Sequence, residues 1–197
     1  LQYVFGYAKV RLNEVAEYSN DRISYKELNK NNYVGVDNLL QNKKGKTIST
    51  KVPTEGNLIK FIENDILIGN IRPYLRKIWL SDCSGGTNGD VLDIRARVEN
   101  VILPKFLYYI LSSETFFEYD IQNSRGAKMP RGDKRMIMNY EFVIPTLDKQ
   151  KKIVNILDKF DKLVNDISEG LPSEIELRKK QYEYYRDKLL MFAVKDD

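Results

Sequence analysis

The stretch IPTLDKQKKIVNILDKFDKLV, residues Ile144 to Val164, decides how the chain is organised. Its proline ends a segment of short strands. Thr146 is then placed to cap a helix, and Asp148 lies in the first turn, where a negative charge suits the helix dipole. Ile153, Ile156, Leu157, Phe160, Leu163, Val164 and Ile167 follow at steps of three and one, with lysines and aspartates on the other faces. That spacing predicts an amphipathic helix from about Leu147 to Ser168, about 33 Å long at the usual rise per residue. Gly170 and Pro172 in EGLPSEIE stop it, and Ser173 with Glu176 forms an S-x-x-E capping box for a second long helix. There Ile175, Tyr182 and Leu189 recur every seven residues, as do Tyr185 and Phe192, the spacing of a seam against another helix. The stripes can close on each other as a hairpin or form a seam for a second polypeptide.

Upstream, residues 1–144 read as short strands between turns: YVGVDNLL, FIENDILIGNI, RKIWLSDCSGGTNGDVLDIRAR and YEFVIP. Val91, Asp93 and Arg95 alternate with Leu92, Ile94 and Ala96, which predicts a strand with one wet face. GGTNGD before it reads as a tight turn. LPKFLYYILSSETFFEYDI predicts one helix with Pro104 near its first turn and a broad apolar face. The expected fold class is α+β, a mixed α/β domain over 1–144 followed by a long, coiled-coil-like helical region over 145–197.

Composition removes many functions. The 197 residues contain no histidine and one cysteine, Cys83. Histidine-based nucleophile systems, histidine-ligated metals, a disulfide framework and a thiolate zinc cluster within one chain are therefore excluded. A reducing, cytoplasmic setting fits, with Cys83 expected as a buried structural thiol. The most apolar run, Val101 to Leu111, is broken by Pro104 and Lys105 and is too short to span a bilayer. No signal peptide is visible, although Leu1 as first residue hints that something precedes it.

With 32 basic and 28 acidic residues, a nucleic-acid signal has to come from local clustering. Three clusters stand out. NIRPYLRKIW carries Arg72, Arg76 and Lys77 around Tyr74 and Trp79. SRGAKMPRGDKRM carries Arg125, Lys128, Arg131, Lys134 and Arg135. QNKKGKTISTK carries Lys43, Lys44, Lys46 and Lys51. Such side chains neutralise phosphates, and arginine also reads base edges. The alternative for each cluster is an ordinary solvated loop. A metal-dependent nuclease is the enzyme alternative, with Asp82 and Asp93-Ile94-Arg95 as carboxylate pattern, but arginine stands where a lysine would polarise water. Asp93 is more simply the wet side of a strand. A Gly-rich turn for S-adenosylmethionine and a base-flipping Asn/Asp-Pro-Pro-aromatic motif are both missing. No catalytic residue and no metal ligand is assigned.

KVRLNEVAEY, ENDILIGNIRPYLRKIW, GTNGDVLDIRAR, LPKFLYYILSS and FVIPTLDKQKKIVNILDKFDKLV, in this order, resemble one half of the DNA-specificity subunit of type I restriction-modification enzymes. The tail ISEGLPSEIELRKKQYEYYRDKLL resembles that family's helical conserved region. Lys149 stands before Gln150 where the family usually has glutamate, and the chain has one recognition domain and one helical region where family members commonly have two.

The resemblance implies a non-catalytic subunit that binds double-stranded DNA and directs methyltransferase and restriction/translocase subunits, with S-adenosylmethionine, Mg²⁺ and ATP on those partners only. It also implies that the stripes from Ile153 to Ile167 and from Ile175 to Phe192 meet a second copy or a partner. A homodimer would read a gapped inverted repeat. The remaining alternative is a coiled-coil scaffold whose head binds protein.

Overall fold

The computed structural model describes residues 6–97, 100–166 and 172–191, the side chains of 163–166 and 172–175 excepted. The elements are β1 (Tyr7–Arg11), α1 (Leu12–Val15), β2 (Ala16–Tyr18), β3 (Arg22–Ser24), β4 (Tyr33–Val34), β5 (Asn57–Phe61), β6 (Ile66–Gly69), β7 (Ile78–Leu80), β8 (Gly85–Thr87) and β9 (Val91–Ala96), followed by α2 (Pro104–Leu111), α3 (Glu114–Gln122), α4 (Lys134–Met138), β10 (Glu141–Pro145), α5 (Leu147–Asp166) and α6 (Pro172–Leu190). They form two four-stranded sheets, β2-β9-β6-β7 and β3-β5-β8-β4, and the antiparallel pair β1-β10. The mixed α/β head and the two long C-terminal helices match the expected α+β class. Among the described residues no helix is long and apolar enough to cross a membrane.

Strand β6 reads ILIG and is buried along its whole length. Ile66 and Ile68 face a large core shared with α2, α3 and β10, whereas Leu67 faces a smaller one with Val34, Phe61, Trp79 and Val91. Strand β9 pairs beside it, Asp93 opposite Leu67. The alternation in β9 is therefore real, but both faces are dry. Asp93 is 2% exposed and is not the wet side of a strand. Burial and the Asp65 carboxylate push its acid well above the usual range, more than Arg95 pulls it down. Arg95 holds Asp65 through two nitrogens, at 2.9 and 2.7 Å, and reaches Asp21 at 2.7 Å. Asp82 is exposed, and among the described residues no group of three acidic or cysteine ligands gathers to hold a metal. Cys83 is half-buried rather than buried, and its thiol is pushed up by burial.

Two local expectations change. The single helix over 103–121 is two, because Ser113 caps a new one: its Oγ accepts from Phe116 N at 3.2 Å and donates to Ile110 O at 2.7 Å. In GGTNGD the first two of the three glycines, Gly85 and Gly86, belong to strand β8, and the turn is confined to Asn88–Asp90. Gly85 is there for space, since a Cβ would lie 1.9 Å from the Asn32 carbonyl oxygen.

The C-terminal helices pack on the head and on each other. Ile153 and Leu157 are buried in the large core, Tyr182 and Leu189 pack against it, and Leu190 is 7% exposed within it. Asp158 takes the Lys105 ammonium at 2.8 Å and the Tyr109 hydroxyl at 2.6 Å, and Asp161 takes the same hydroxyl at 2.8 Å, so α5 is tied to α2. The Phe160 and Tyr182 rings lie 6.4 Å apart, joining α5 to α6. Ile153, Leu157, Tyr182 and Leu189 are thus committed within the chain, which corrects their assignment to a seam with a second polypeptide. Ile156, Phe160 and Tyr185 remain exposed. The side chains of Leu163, Val164, Ser173 and Ile175, and residues Ile167, Gly170 and Phe192, lie outside the described residues.

Removing the Leu157 side chain leaves a cavity in the head, so Leu157→Ala is expected to lower unfolding free energy by about 2–5 kcal/mol in urea titration. Ile156→Ala, on the exposed side of the same helix, should cost less than about 1 kcal/mol. Equal costs would contradict the docking of α5.

Candidate nucleic-acid interface

The three basic segments lie far apart in sequence and meet in space through backbone hydrogen bonds. The segment after β6 is central. It makes a 3-10 turn, Pro73–Leu75, flanked by Arg72 and Arg76, both in the left-handed region (φ 55° and 50°). On one side, Arg72 N donates to Pro130 O at 2.7 Å, Gly132 N donates to Asn70 O at 3.2 Å, and Ile71 bridges to Arg131. On the other, Asn42 N donates to Leu75 O at 3.0 Å and Lys43 N to Arg76 O at 2.9 Å. The segment of residues 125–131 closes on itself: Arg125 N donates to Arg131 O at 2.9 Å and Arg131 N to Arg125 O at 2.8 Å. Its tip, Lys128 and Met129, is exposed.

Side chains sort the predicted contacts. Lys44, Arg72, Lys128 and Arg135 are exposed and take part in no ion pair among the described residues, as does Lys51. Tyr74 is exposed on the 3-10 turn. Lys134 is exposed, 6.0 Å over the Tyr18 ring. Arg131 pairs with Asp90 at 2.8 Å and Arg125 with Asp133 at 2.9 Å, both at the surface. Surface pairs of that kind contribute about 0–1 kcal/mol, so a phosphate can replace the carboxylate.

Four others are committed inward. Lys43 is held by Glu114 at 2.7 Å and Glu183 at 3.1 Å. Arg76 pairs with Glu114 at 2.6 Å. Lys77 donates to Val36 O at 2.6 Å, and burial lowers its pKa. Lys46 donates to Asn31 O at 3.2 Å beneath the Trp79 ring, 4.9 Å from its centroid. These interactions answer local desolvation, so the expectation of DNA contact at Lys43, Arg76 and Lys46 is corrected, while Lys77, tied to Val36, stands in the wall of the cleft between the segments.

Between the three segments lies a cleft of about 530 Å³ whose walls include Tyr33, Asn38, Ile48, Lys51, Arg72 and Met129, with Asp37, Asn88 and Asp90 among its acceptors. Cations at the rim with amide and carboxylate groups inside suit a duplex whose phosphates are held at the edge while base edges are read within. Ile48 is 63% exposed beside it. None of the uncharged cleft residues was marked by charge clustering.

Beneath the 125–132 loop lies a polar group that the sequence did not announce. Asp120, on α3, is 1% exposed and neither carboxylate oxygen has a hydrogen-bond partner. Burial pushes its pKa up to about 7. It lies against Gly132, where a Cβ would come within 2.4 Å of Asp120 Oδ1 and 2.8 Å of Asn70 Oδ1. Gly132 is therefore what lets the basic loop close over α3.

Comparison with known proteins places this geometry. Residues 6–177 match the family described as "Type I restriction modification DNA specificity domain". Over 91 residues, 46% of this chain and 22% of the relative, the chain is 43% identical to the specificity subunit of the EcoR124I/EcoR124II type I restriction enzyme of Escherichia coli. Over 87 residues, 44% of this chain and 25% of the relative, it is 40% identical to the MpnII specificity subunit of Mycoplasma pneumoniae. Among solved structures, the HsdS subunit of Thermoanaerobacter tengcongensis superposes with a TM-score of 0.62 at 22% identity, over 98% of this chain and 51% of that one. The type I system S subunit of M. genitalium does so with a TM-score of 0.59 at 18% identity, over 92% of this chain and 45% of that one. These structural likenesses concern the fold. The chain spans about half the length of these solved subunits, and its matched segments cover a smaller share of the two curated relatives.

An acid whose folded pKa lies above its unfolded value of about 3.9 binds more protons when folded, so its contribution is present at low pH and is lost as pH rises through the folded pKa. The wild-type chain is therefore expected to lose unfolding free energy between pH 5 and pH 8 by more than Asp120→Asn does, measured by urea denaturation at both values. Parallel pH profiles would contradict a raised acid at Asp120.

Proposed function

The chain belongs to the type I restriction-modification DNA specificity domain family, and from that premise we propose that it is a non-catalytic, sequence-specific reader of double-stranded DNA. The observation that carries this reading is the joining of three separate basic segments, edge to edge, around one cleft. Residues 1–144 act as the recognition part, and residues 145–197 as spacer and docking region. Lys44, Lys51, Lys128, Lys134 and Arg135 hold phosphates. Arg72 and Arg131, beside the cleft, are placed to reach base edges.

Methylation and cleavage belong to partners in this reading: methyltransferase subunits carrying S-adenosylmethionine, and a restriction/translocase subunit carrying ATP and Mg²⁺, in the cytoplasm. In this reading two copies facing opposite strands supply the two halves of a gapped inverted repeat. The exposed side chains Ile156, Phe160 and Tyr185 support a docking role for the outer faces of α5 and α6, towards a second copy or a methyltransferase subunit.

Binding of duplex DNA should weaken steeply with salt, and Lys128→Ala should lower the slope of log K against log salt by about one without changing sequence preference. Arg72→Ala should cost ~1–3 kcal/mol and relax the preference at one base pair, if it reads a base as assigned. Fluorescence anisotropy across a salt series measures both. Salt-independent or undetectable DNA binding would favour the scaffold reading instead. Light scattering across a dilution series is expected to give twice the chain mass, and a monomer at every concentration would reserve the helical faces for another subunit.

A further inference from the structure

The two turns that carry the central and upstream basic segments are unusually constrained. Asn42, Lys43, Arg72 and Arg76, none of them glycine, sit in the left-handed region with φ of 55°, 61°, 55° and 50°. Each such residue is strained and persists only when its surroundings over-determine it. The amides of Asn42 and Lys43 on the carbonyls of Leu75 and Arg76 supply part of that determination. Arg72 is held through its amide on Pro130 O, and the side chains of Lys43 and Arg76 converge on one carboxylate. Glu114 takes the Lys43 ammonium on Oε1 at 2.7 Å and the Arg76 guanidinium on Oε2 at 2.6 Å, one cation from each turn. Arg76 Nε is buried with no partner, so Glu114 alone orients that guanidinium among the described residues. Lys43, whose side chain is 12% exposed, also reaches Glu183 at 3.1 Å on α6.

Resting on the DNA-reading function above, we infer that Glu114 is a positioning residue for recognition: it staples the 42–43 and 72–76 turns to α3 and, through Lys43 and Glu183, fixes the recognition face relative to α6. Glu114 does not touch the duplex. Its own place is set by Ser113, which caps α3 immediately before it. Burial raises its acid, but the Lys43 hydrogen bond and the charges of Lys43, Arg76 and Arg186 outweigh burial and hold it below the ordinary range, so the staple is charged at neutral pH.

The inference separates from simple electrostatics by sign. Glu114→Gln removes a negative charge near a basic face, which by charge alone strengthens DNA binding. Positioning requires the opposite for the preferred sequence. The test measures affinity of the full chain, wild type and Glu114→Gln, for a duplex enriched by the wild-type chain from a randomised pool and for a scrambled duplex, with amide exchange at Asn42 and Lys43 as a DNA-independent readout. The expected result is a tenfold or greater fall in the ratio of preferred to scrambled affinity, faster exchange at both amides, and an unchanged salt slope. Glu114→Asp, which keeps the charge and shortens the reach, should fall between the two. It carries the test if Glu114→Gln does not fold. Equal or tighter binding of the preferred duplex by the folded variant overturns the inference alone. A wild-type chain that prefers no duplex overturns the functional reading and this consequence with it.

Discussion

The side-chain amide of Gln150 is the fixed point between the head and its helices. It is fully buried, donates to Val101 O at 2.8 Å and Pro145 O at 2.9 Å, and accepts from Leu103 N at 2.9 Å. One side chain thus satisfies the backbone at the end of β10 and at the start of α2. Buried peptide groups left without partners cost about 1–3 kcal/mol each, so the chain's exit into α5 has one favoured direction. Ile153 and Leu157, one and two turns further on, are then aimed at α2 and enter the head's core. The helical region is joined to the head by packing, and the orientation of one follows from the other.

That joint answers the question raised by the stretch Ile144 to Val164. Its stripe is wider than one partner requires: the inner edge packs on the head, and Ile156 and Phe160 face outward. A helix with two apolar edges can hold a domain in place and still offer a surface.

The periodic features were legible in the sequence. The start of α5 at Leu147, strand β10, the existence of β9 and the three basic segments all follow from spacing and residue type. What spacing could not reach was anything set by tertiary partners. Asp93 has the alternation of a half-wet strand, and only the second sheet behind it makes both faces dry. Lys43, Arg76 and Lys77 carry the same charge as Lys44 and Arg72, and their inward commitment depends on Glu114, Glu183 and the Val36 carbonyl, which are distant in the chain or unmarked by any motif. Ser113 caps a new helix, and the apolar residues on both sides of it masked the break in the sequence. Tyr182 and Leu189 have heptad spacing because α6 lies along a surface, and that surface is the chain's own head.

The face itself is built by backbone pairing between loops whose residue types do not announce it, so charge clustering found the segments and missed the cleft between them. Sequence reading is tested directly by selection of duplexes from a fully randomised pool by the purified full chain. A specificity role predicts enrichment of a short defined sequence, repeated in inverted orientation at a fixed gap if two copies bind together. Retention of DNA without enrichment of any sequence would contradict a specificity role and leave the basic face as an unselective phosphate-binding surface.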